Sequence, residues 1–201
     1  MVEGGYTYGH LRASQAKSVE EVMYKIVTEL RPTRVLEIGT FHGGLTIMLR
    51  DFLDTGGLQN SIIRTYDTNE QVFLKKCVDK RTEVVTKNLF NNVYNGWKDS
   101  ESEKEIKEFI DSGSPTLVLC DGGCKKCEFR LIAPLLKKGD VIMAHDYAPN
   151  REYFEEHIEG KIWDWLEIED KNVADVVSEQ NLSPYLQDLA QKAVWMSKIK
   201  Q

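Results

Sequence analysis

Short apolar runs alternate with longer amphipathic segments along this chain, and no other feature limits its fold as strongly. The segment 18–30 illustrates the second kind, because Val19, Val22 and Ile26 recur at helical spacing. Apolar strands separated by helices pair in parallel and need helices on both faces of their sheet. The pattern therefore predicts a doubly wound, Rossmann-like α/β fold. Five strands are expected at 34–38, 61–66, 82–86, 116–120 and 141–144.

The rest of the chain is expected to complete a seven-stranded, mostly parallel sheet. A sixth strand is predicted at 163–168 and a last strand at 193–199. One domain is expected over 1–201, with a helical N-terminal segment (1–33), a core that carries the binding site (34–147) and a C-terminal part (148–201). The predicted helices cover 18–30, 45–53, 69–78, 100–110, 129–136 and one or two segments within 173–192, interrupted near Ser183-Pro184.

Composition and charge narrow the classes of partner. Of the 201 residues, 41% are hydrophobic and 29% are charged, which is typical of a globular protein with one sizeable core. The net charge of −6 disfavours nucleic acid and anionic membranes. No apolar run approaches the roughly 18 residues of a membrane span, and the first residues lack the blocks of a signal peptide. We expect a cytoplasmic protein with a small-molecule or protein partner.

Four cysteines, Cys77, Cys120, Cys124 and Cys127, do not resemble a disulfide framework, and we expect them to be reduced. The spacing C-x3-C-x2-C from Cys120 to Cys127 matches that of a 4Fe-4S site in radical enzymes. Because Cys120 ends an apolar strand, whereas those enzymes carry the motif in a long loop, we set a cluster aside. A lone C-x-x-C is also weak support for zinc.

Parallel sheets of this kind bind ligands beyond the carboxyl ends of their strands. The sequence of the turn after the first strand indicates which of the common ligands fits. Residues 37–44 read EIGTFHGG and lack the lysine of a phosphate-binding loop. In a dinucleotide fingerprint, Gly39 and Gly44 would fill the outer positions, but Phe41 stands where a pyrophosphate needs bare backbone. A nucleoside ligand without phosphates remains. Asp67, at the end of the second predicted strand, is among the polar residues at this edge of the sheet.

Two further motifs extend the pattern. Glu37-x-Gly39-x-x-x-Gly43 resembles the first motif of class I S-adenosylmethionine (SAM)-dependent methyltransferases. Asp121-Gly122-Gly123-Cys124 and His145-Asp146-Tyr147 resemble the D-G-x-H and H-D-Y motifs of one subgroup, similar to O-methyltransferases of macrolides and sugars and to cephalosporin-hydroxylase-like proteins. The resemblance covers roughly 34–147, although Cys124 replaces the histidine of the subgroup.

The resemblance implies a site for SAM. Glu37 is expected near the amino group of the cofactor, Asp67 at its ribose hydroxyls and Asn88 near its adenine. The residues that the resemblance assigns to cofactor binding are Glu37, Gly39, Thr40, Phe41, Gly43, Asp67, Asn88 and Asp121.

The resemblance also implies catalytic chemistry at the ends of the fourth and fifth strands. In related metal-dependent O-methyltransferases, carboxylates at such positions hold Mg²⁺, which binds the acceptor oxygen. We carry this metal role onto Asp121 and Asp146. His145 is expected as a third ligand or as the general base, with Asp146 beside it as a catalytic residue. The simpler alternative is that His145 and Asp146 only hydrogen-bond loops and cap the next helix.

We therefore expect a SAM-dependent methyltransferase that acts on a hydroxyl of a small molecule or sugar, with Mg²⁺ as a candidate cofactor. Two alternatives stay open: an NAD-dependent oxidoreductase of Rossmann type, and a non-catalytic nucleoside-binding module. Nucleic acid is disfavoured as an acceptor because the chain lacks the Asn/Asp-Pro-Pro-Tyr signature of base methylation. A homo-oligomer is compatible with all three interpretations.

Overall fold

The computed structural model describes residues 6–91 and 95–201. A seven-stranded sheet forms its centre, with the order β3-β2-β1-β4-β5-β7-β6. Strands β1 to β5 pair in parallel, and β7 runs antiparallel to both of its neighbours. The predicted seven-stranded, mostly parallel sheet is confirmed. The strands are β1 (Arg34–Ile38), β2 (Ile62–Asp67), β3 (Thr82–Thr86), β4 (Thr116–Cys120), β5 (Val141–Ala144), β6 (Leu182–Pro184) and β7 (Met196–Lys200).

Helices connect the strands, as the alternating pattern predicts. A two-stranded hairpin, Thr7–Tyr8 with Leu11–Arg12, precedes the first helix. Short 3-10 turns and a π-helical turn that continues α6 complete the connections. None of the helices in the described residues is long and apolar enough to cross a membrane. The helices are α1 (Val19–Leu30), α2 (Gly44–Thr55), α3 (Val72–Cys77), α4 (Ser100–Asp111), α5 (Lys125–Ile132), α6 (Arg151–Tyr153), α7 (Ala174–Glu179) and α8 (Gln187–Ala190).

Two apolar layers cover the sheet, one on each face. Successive side chains of a strand point to opposite faces, so Leu117 and Leu119 of β4 join one layer while Val118 and Cys120 join the other. Helices α1 and α2 pack in the first layer, and α4 and α5 pack in the second. Both faces are therefore buried, which explains why β4 reads as a continuous apolar run.

The predicted sixth strand at 163–168 is wrong. Among the described residues of that segment, only Ile168 forms a bridge, to Tyr147. The sixth strand is Leu182–Pro184, inside the region predicted as helical, and it lies at the edge of the sheet beside β7. A three-residue edge strand that includes a proline gives almost no periodic signal, which explains the error. Helix α5 also begins at Lys125, four residues before its predicted start.

The expectation that all four cysteines are reduced is also wrong. Cys124 and Cys127 form a disulfide at the start of α5, with their Cα atoms 5.3 Å apart. The expectation of reduced cysteines rests on the predicted cytoplasmic location. The pairing instead follows from local geometry, because the first helical turn brings residues three apart together. Cys77 is free and exposed, and Cys120 is free and buried in the sheet.

Candidate active site

A cavity of about 450 Å³ opens beyond the carboxyl ends of β1, β2, β4 and β5. This volume suits a small-molecule ligand, and the location is the one at which parallel sheets bind ligands. Two of the predicted site residues, Glu37 and Gly43, are not among its lining residues. The predicted residues that line the cavity are Gly39, Thr40, Phe41, Asp67, Asn88, Asp121, His145 and Asp146.

The turn after β1 forms one wall of the cavity. Gly39 has a φ of 93°, and a Cβ at this position would collide with the backbone carbonyl oxygen of Asp121. The backbone of β4 comes this close because the Asp121 N–H donates to the carbonyl of Ile38 over 2.9 Å. Glycine is therefore required where the first and fourth strands diverge. Phe41 adopts a left-handed φ of 51°, and its side chain is 43% exposed.

Asp67 is held at the end of β2 by two backbone donors. The Phe41 N–H donates to Oδ2 and the Asn69 N–H donates to Oδ1, each over 2.8 Å. Each carboxylate oxygen has two lone pairs, so both oxygens can still accept a hydrogen bond from a ligand. Asn88 lies beside this wall, and its Oδ1 accepts from the backbone N–H of Phe90 over 3.2 Å. Among residues 6–91 and 95–201, this leaves the amide group of Asn88 available as a donor.

Glu37 lies beneath the turn and not in the cavity wall. It is fully buried, and its Oε2 accepts from the Thr46 hydroxyl of α2 over 2.5 Å. Burial, reinforced by the carboxylates of Asp121 and Asp67, raises its pKa to about 7. The contact expected between Glu37 and a cofactor's amino group does not follow from this position. Gly43, with a φ of 83°, precedes α2 and packs against Leu74.

Three polar side chains meet on the opposite wall. His145 Nδ1 lies 3.0 Å from Asp121 Oδ1 and 3.3 Å from Asp146 Oδ1. The imidazole is only 1% exposed and is flanked by the indoles of Trp163 and Trp195, whose ring centroids lie 5.0 and 4.8 Å away. Asp146 follows in a left-handed conformation with a φ of 56°. The sheet thus brings together the three residues that were predicted from the ends of β4 and β5.

Two residues that the sequence analysis missed complete the environment of Asp121. Gln15 Nε2 donates to Asp121 Oδ2 over 2.6 Å, and Trp195 Nε1 donates to Gln15 Oε1 over 3.0 Å. Because Gln15 precedes α1 and Trp195 precedes β7, the contact joins the two ends of the chain. No motif could have signalled a pair separated by 106 positions in the sequence.

Asp146 is held by two further donors. Trp163 Nε1 donates to Oδ1 over 2.5 Å, and the ammonium of Lys125 lies 2.8 Å from Oδ2. Burial alone would raise the pKa of Asp146, but the charges of His145 and Lys125 lower it. Burial alone would lower the pKa values of His145 and Lys125, but the neighbouring carboxylates raise both. The local charges therefore favour the ionised forms of His145, Asp146 and Lys125.

The loop that joins β4 to α5 is positioned by Glu128, which the sequence analysis also missed. Its two carboxylate oxygens accept from the N–H groups of Gly122 and Cys124, over 3.0 and 3.1 Å. Gly122 lies so close that a Cβ would collide with Oε1. Glu128 is fully buried, and burial raises its pKa to about 7. This buried carboxyl group fixes the loop that carries Asp121 and leads into α5 at Lys125.

The surroundings of Asp121 and Asp146 disfavour a divalent cation between them, because the ammonium of Lys125 already lies 2.8 Å from Asp146. All four of their carboxylate oxygens already face a protein nitrogen, from His145, Gln15, Trp163 and Lys125, at distances of 2.5–3.0 Å. One of these partners is itself a cation. Within residues 6–91 and 95–201, no group of three or more His, Cys, Asp or Glu side chains is placed to hold a metal.

No protein-family model and no curated protein matches this sequence. Solved structures do match it. An apo structure of CmcI has a TM-score of 0.65 and 14% identity, over 97% of this chain and 76% of that one. A CmcI structure with Mg-SAM has a TM-score of 0.63 and 14% identity, over 99% and 78%. An SAH-bound methyltransferase from Podospora anserina, PaMTH1, has a TM-score of 0.56 and 14% identity, over 91% and 78%.

The chain has a class I methyltransferase fold. The strand order, with its antiparallel β7 between β5 and β6, supports the same assignment. At 14% identity, the similarity shows the arrangement of strands and helices and nothing more. What the site does has to be argued from its own residues.

Proposed function

We propose that this protein is a SAM-dependent methyltransferase that methylates a hydroxyl of a small molecule or sugar. The observation that carries the proposal is the cavity, which has Asp67 on one wall and the cluster of Asp121, His145 and Asp146 on the other. A nucleoside fits the first wall and a proton acceptor fits the second. The names of the similar CmcI and PaMTH1 structures, with SAM and SAH, support the same cofactor.

The first wall is suited to the cofactor without phosphate groups. Asp67 has an available lone pair on each oxygen for the two ribose hydroxyls, and Asn88 can reach the adenine. Gly39 lets the backbone approach the methionine part. When bound, SAM would supply a methyl group on a positively charged sulfur, and the acceptor oxygen would attack the methyl carbon in line with the carbon–sulfur bond. The carboxylate of Asp121, in the same cavity, is complementary to that positive charge.

His145 is the proposed general base of the second wall. Its Nδ1–H donates to Asp121, which fixes the tautomer and leaves Nε2 as the proton acceptor. Within the described residues Nε2 has no hydrogen-bond partner. Asp146 and Asp121 then stabilise the imidazolium that forms when His145 takes the proton of the acceptor hydroxyl. No step is assigned to Mg²⁺, because a cation on Asp146 would lie beside the ammonium of Lys125.

The two alternatives have less support. An NAD-dependent oxidoreductase would need bare backbone at position 41, where the Phe41 side chain projects and the Phe41 N–H is used by Asp67. A non-catalytic module would not need a histidine held by two carboxylates. The cytoplasmic location, the sugar or other small acceptor and the homo-oligomeric state stay predictions.

Methyl transfer tests the proposal directly. The purified protein is incubated with SAM carrying a tritiated methyl group and a panel of phenols, sugars and hydroxylated polyketides. We expect label in at least one hydroxyl compound, and a loss of at least about 100-fold in His145→Gln, since a general base typically contributes that much. His157→Gln, a change of an exposed histidine, is the control. Equal rates in His145→Gln and the unmodified protein would remove His145 from the mechanism.

A further inference from the structure

Lys125 places a positive charge inside the cavity. It is the first residue of α5, its side chain is only 11% exposed, and it lines the cavity. Its ammonium lies 2.8 Å from Asp146 Oδ2 and 3.3 Å from Glu167 Oε1. An ammonium has three N–H donors, and the described residues provide these two partners. The third donor is therefore available to a molecule bound in the cavity.

The position of this ammonium is the one that a metal ion on Asp146 would need. A divalent cation bound to Oδ2 of Asp146 would lie within a few ångströms of Lys125 Nζ, and the two positive charges would repel each other. An ion bound to both oxygens of Asp146 would also have to displace the Trp163 indole from Oδ1. The site already contains a cation that belongs to the chain.

We propose that the ammonium of Lys125 replaces a divalent cation in this site and donates a hydrogen bond to the acceptor oxygen during methyl transfer, which therefore needs no metal. The inference rests on the methyltransferase function proposed above. The acceptor oxygen forms a bond to the methyl carbon while the carbon–sulfur bond breaks, and the electron pair of that bond stays on sulfur. The hydroxyl proton passes to His145 Nε2.

Lys125 acts on the acceptor oxygen in this scheme. As the proton leaves, negative charge develops on that oxygen, and a donor already in place stabilises it. A single N–H can bind one oxygen. The proposed acceptor therefore needs no second oxygen beside the reacting hydroxyl.

Manganese binding tests the replacement without any acceptor. Mn²⁺ is titrated into the protein with saturating S-adenosylhomocysteine (SAH), and free Mn²⁺ is measured by electron paramagnetic resonance, with Mg²⁺ as competitor. We expect no binding by the unmodified protein. In Lys125→Met, which keeps the length of the side chain and removes its charge, we expect measurable Mn²⁺ binding, at least about tenfold tighter than the weakest binding that the titration detects. Lys126→Met removes the charge of the exposed neighbouring lysine and is expected to behave as the unmodified protein.

Binding of Mn²⁺ by the unmodified protein, displaced by Mg²⁺, would overturn the proposal even if Lys125→Met failed to fold. Lys125→Met that is folded by circular dichroism and binds Mn²⁺ no better would also overturn it. Thermal unfolding of the same samples with SAH distinguishes a failure of the methyltransferase function from a failure of the role of Lys125. A missing SAH shift contradicts the methyltransferase function, whereas an SAH shift together with Mn²⁺ binding by the unmodified protein contradicts only the role of Lys125.

Discussion

His145 Nδ1 lies 3.0 Å from Asp121 Oδ1, and this contact joins the ends of two neighbouring parallel strands. The carboxylate orients the imidazole and favours its charged form, while Trp163 and Trp195 restrict its rotation. When the imidazole is neutral, the same contact keeps the proton on Nδ1, so the base form has a defined tautomer. The relationship makes the titration of His145 the clearest electrostatic property of the site.

We predict that His145 titrates above the ordinary histidine range. Burial opposes the charged form, but the carboxylates of Asp121 and Asp146 favour it more strongly and raise the pKa. The base form, and with it methyl transfer, then increases as pH rises through this raised value. Nuclear magnetic resonance of the four imidazoles measures the shift, and Asp121→Asn is expected to lower the pKa of His145. A pKa of His145 that is unchanged in Asp121→Asn would contradict the account.

The Asp67 carboxylate is predicted to carry cofactor affinity. Asp67→Ala removes the acceptors for two ribose hydroxyls and is expected to weaken SAH binding by about 1 to 3 kcal/mol, measured by calorimetric titration. Asp188→Ala, a change of an exposed carboxylate on α8, is the matched control and is expected to leave affinity unchanged. Equal affinities in Asp67→Ala and the control would place the ribose elsewhere.

Two buried acids predict a particular dependence of stability on pH. Burial raises the pKa values of Glu37 and Glu128 to about 7, so the folded protein holds these protons more tightly than the unfolded chain. Their contribution to the free energy of unfolding is fully present below the ordinary carboxyl pKa and is lost as pH rises through about 7. Denaturant unfolding across this range measures the decline, which is up to about 3 kcal/mol for each group. Glu37→Gln should flatten it, and an equally steep decline in that variant would exclude Glu37 as a cause.

The backbone at Gly39 is predicted to accept no side chain. Gly39→Ala adds both a strained φ and a collision with the carbonyl of Asp121, so it should lower stability by several kcal/mol and abolish the SAH-induced thermal shift. Gly139→Ala is the matched control, because Gly139 has a similar φ of 88° and a Cβ there would meet no atom within 4 Å. Equal losses in the two variants would mean that φ alone, and not the close approach to Asp121, requires glycine at position 39.

The disulfide predicts a pattern of thiol reactivity. In the native protein one thiol, Cys77, should react with a thiol reagent, because Cys120 is buried and Cys124 is bonded to Cys127. Unfolding without reductant should expose Cys120 as a second thiol, and reduction should release the remaining pair. The double variant Cys124→Ser/Cys127→Ser is the control and should give the same two free thiols. Four reactive thiols in the unreduced, unfolded protein would contradict the disulfide.

The central strands were predictable because a strand buried on both faces reads as a continuous apolar run. Strands β1, β3, β4 and β5 have their predicted bounds for this reason. The first-wall and second-wall residues were predictable as well, because the carboxyl ends of parallel strands meet at one edge of the sheet. The edge strand β6 has too few residues and too little apolar character to be recognised.

The contacts that tune the site were not predictable from the sequence. The pairing of Lys125 with Asp146, of Gln15 with Asp121 and of Trp163 with Asp146 depends on how distant segments pack. Periodicity describes which face of an element is buried, and it contains no information on which polar groups meet across a cavity. The expected Mg²⁺ site illustrates the limit, since Asp121 and Asp146 were chosen as ligands from their positions alone, without the protein groups that contact them.

Thermal unfolding with SAH, with NAD and without ligand is the measurement that tests the central claim most directly. A ligand at about 100 times its dissociation constant adds roughly 2.7 kcal/mol to the free energy of unfolding, which raises the midpoint by about 5 to 10 °C in a domain of this size. We predict this rise with SAH, no rise with NAD and no further rise with Mg²⁺. A rise with NAD alone, or no rise with either ligand, would contradict a SAM-dependent methyltransferase.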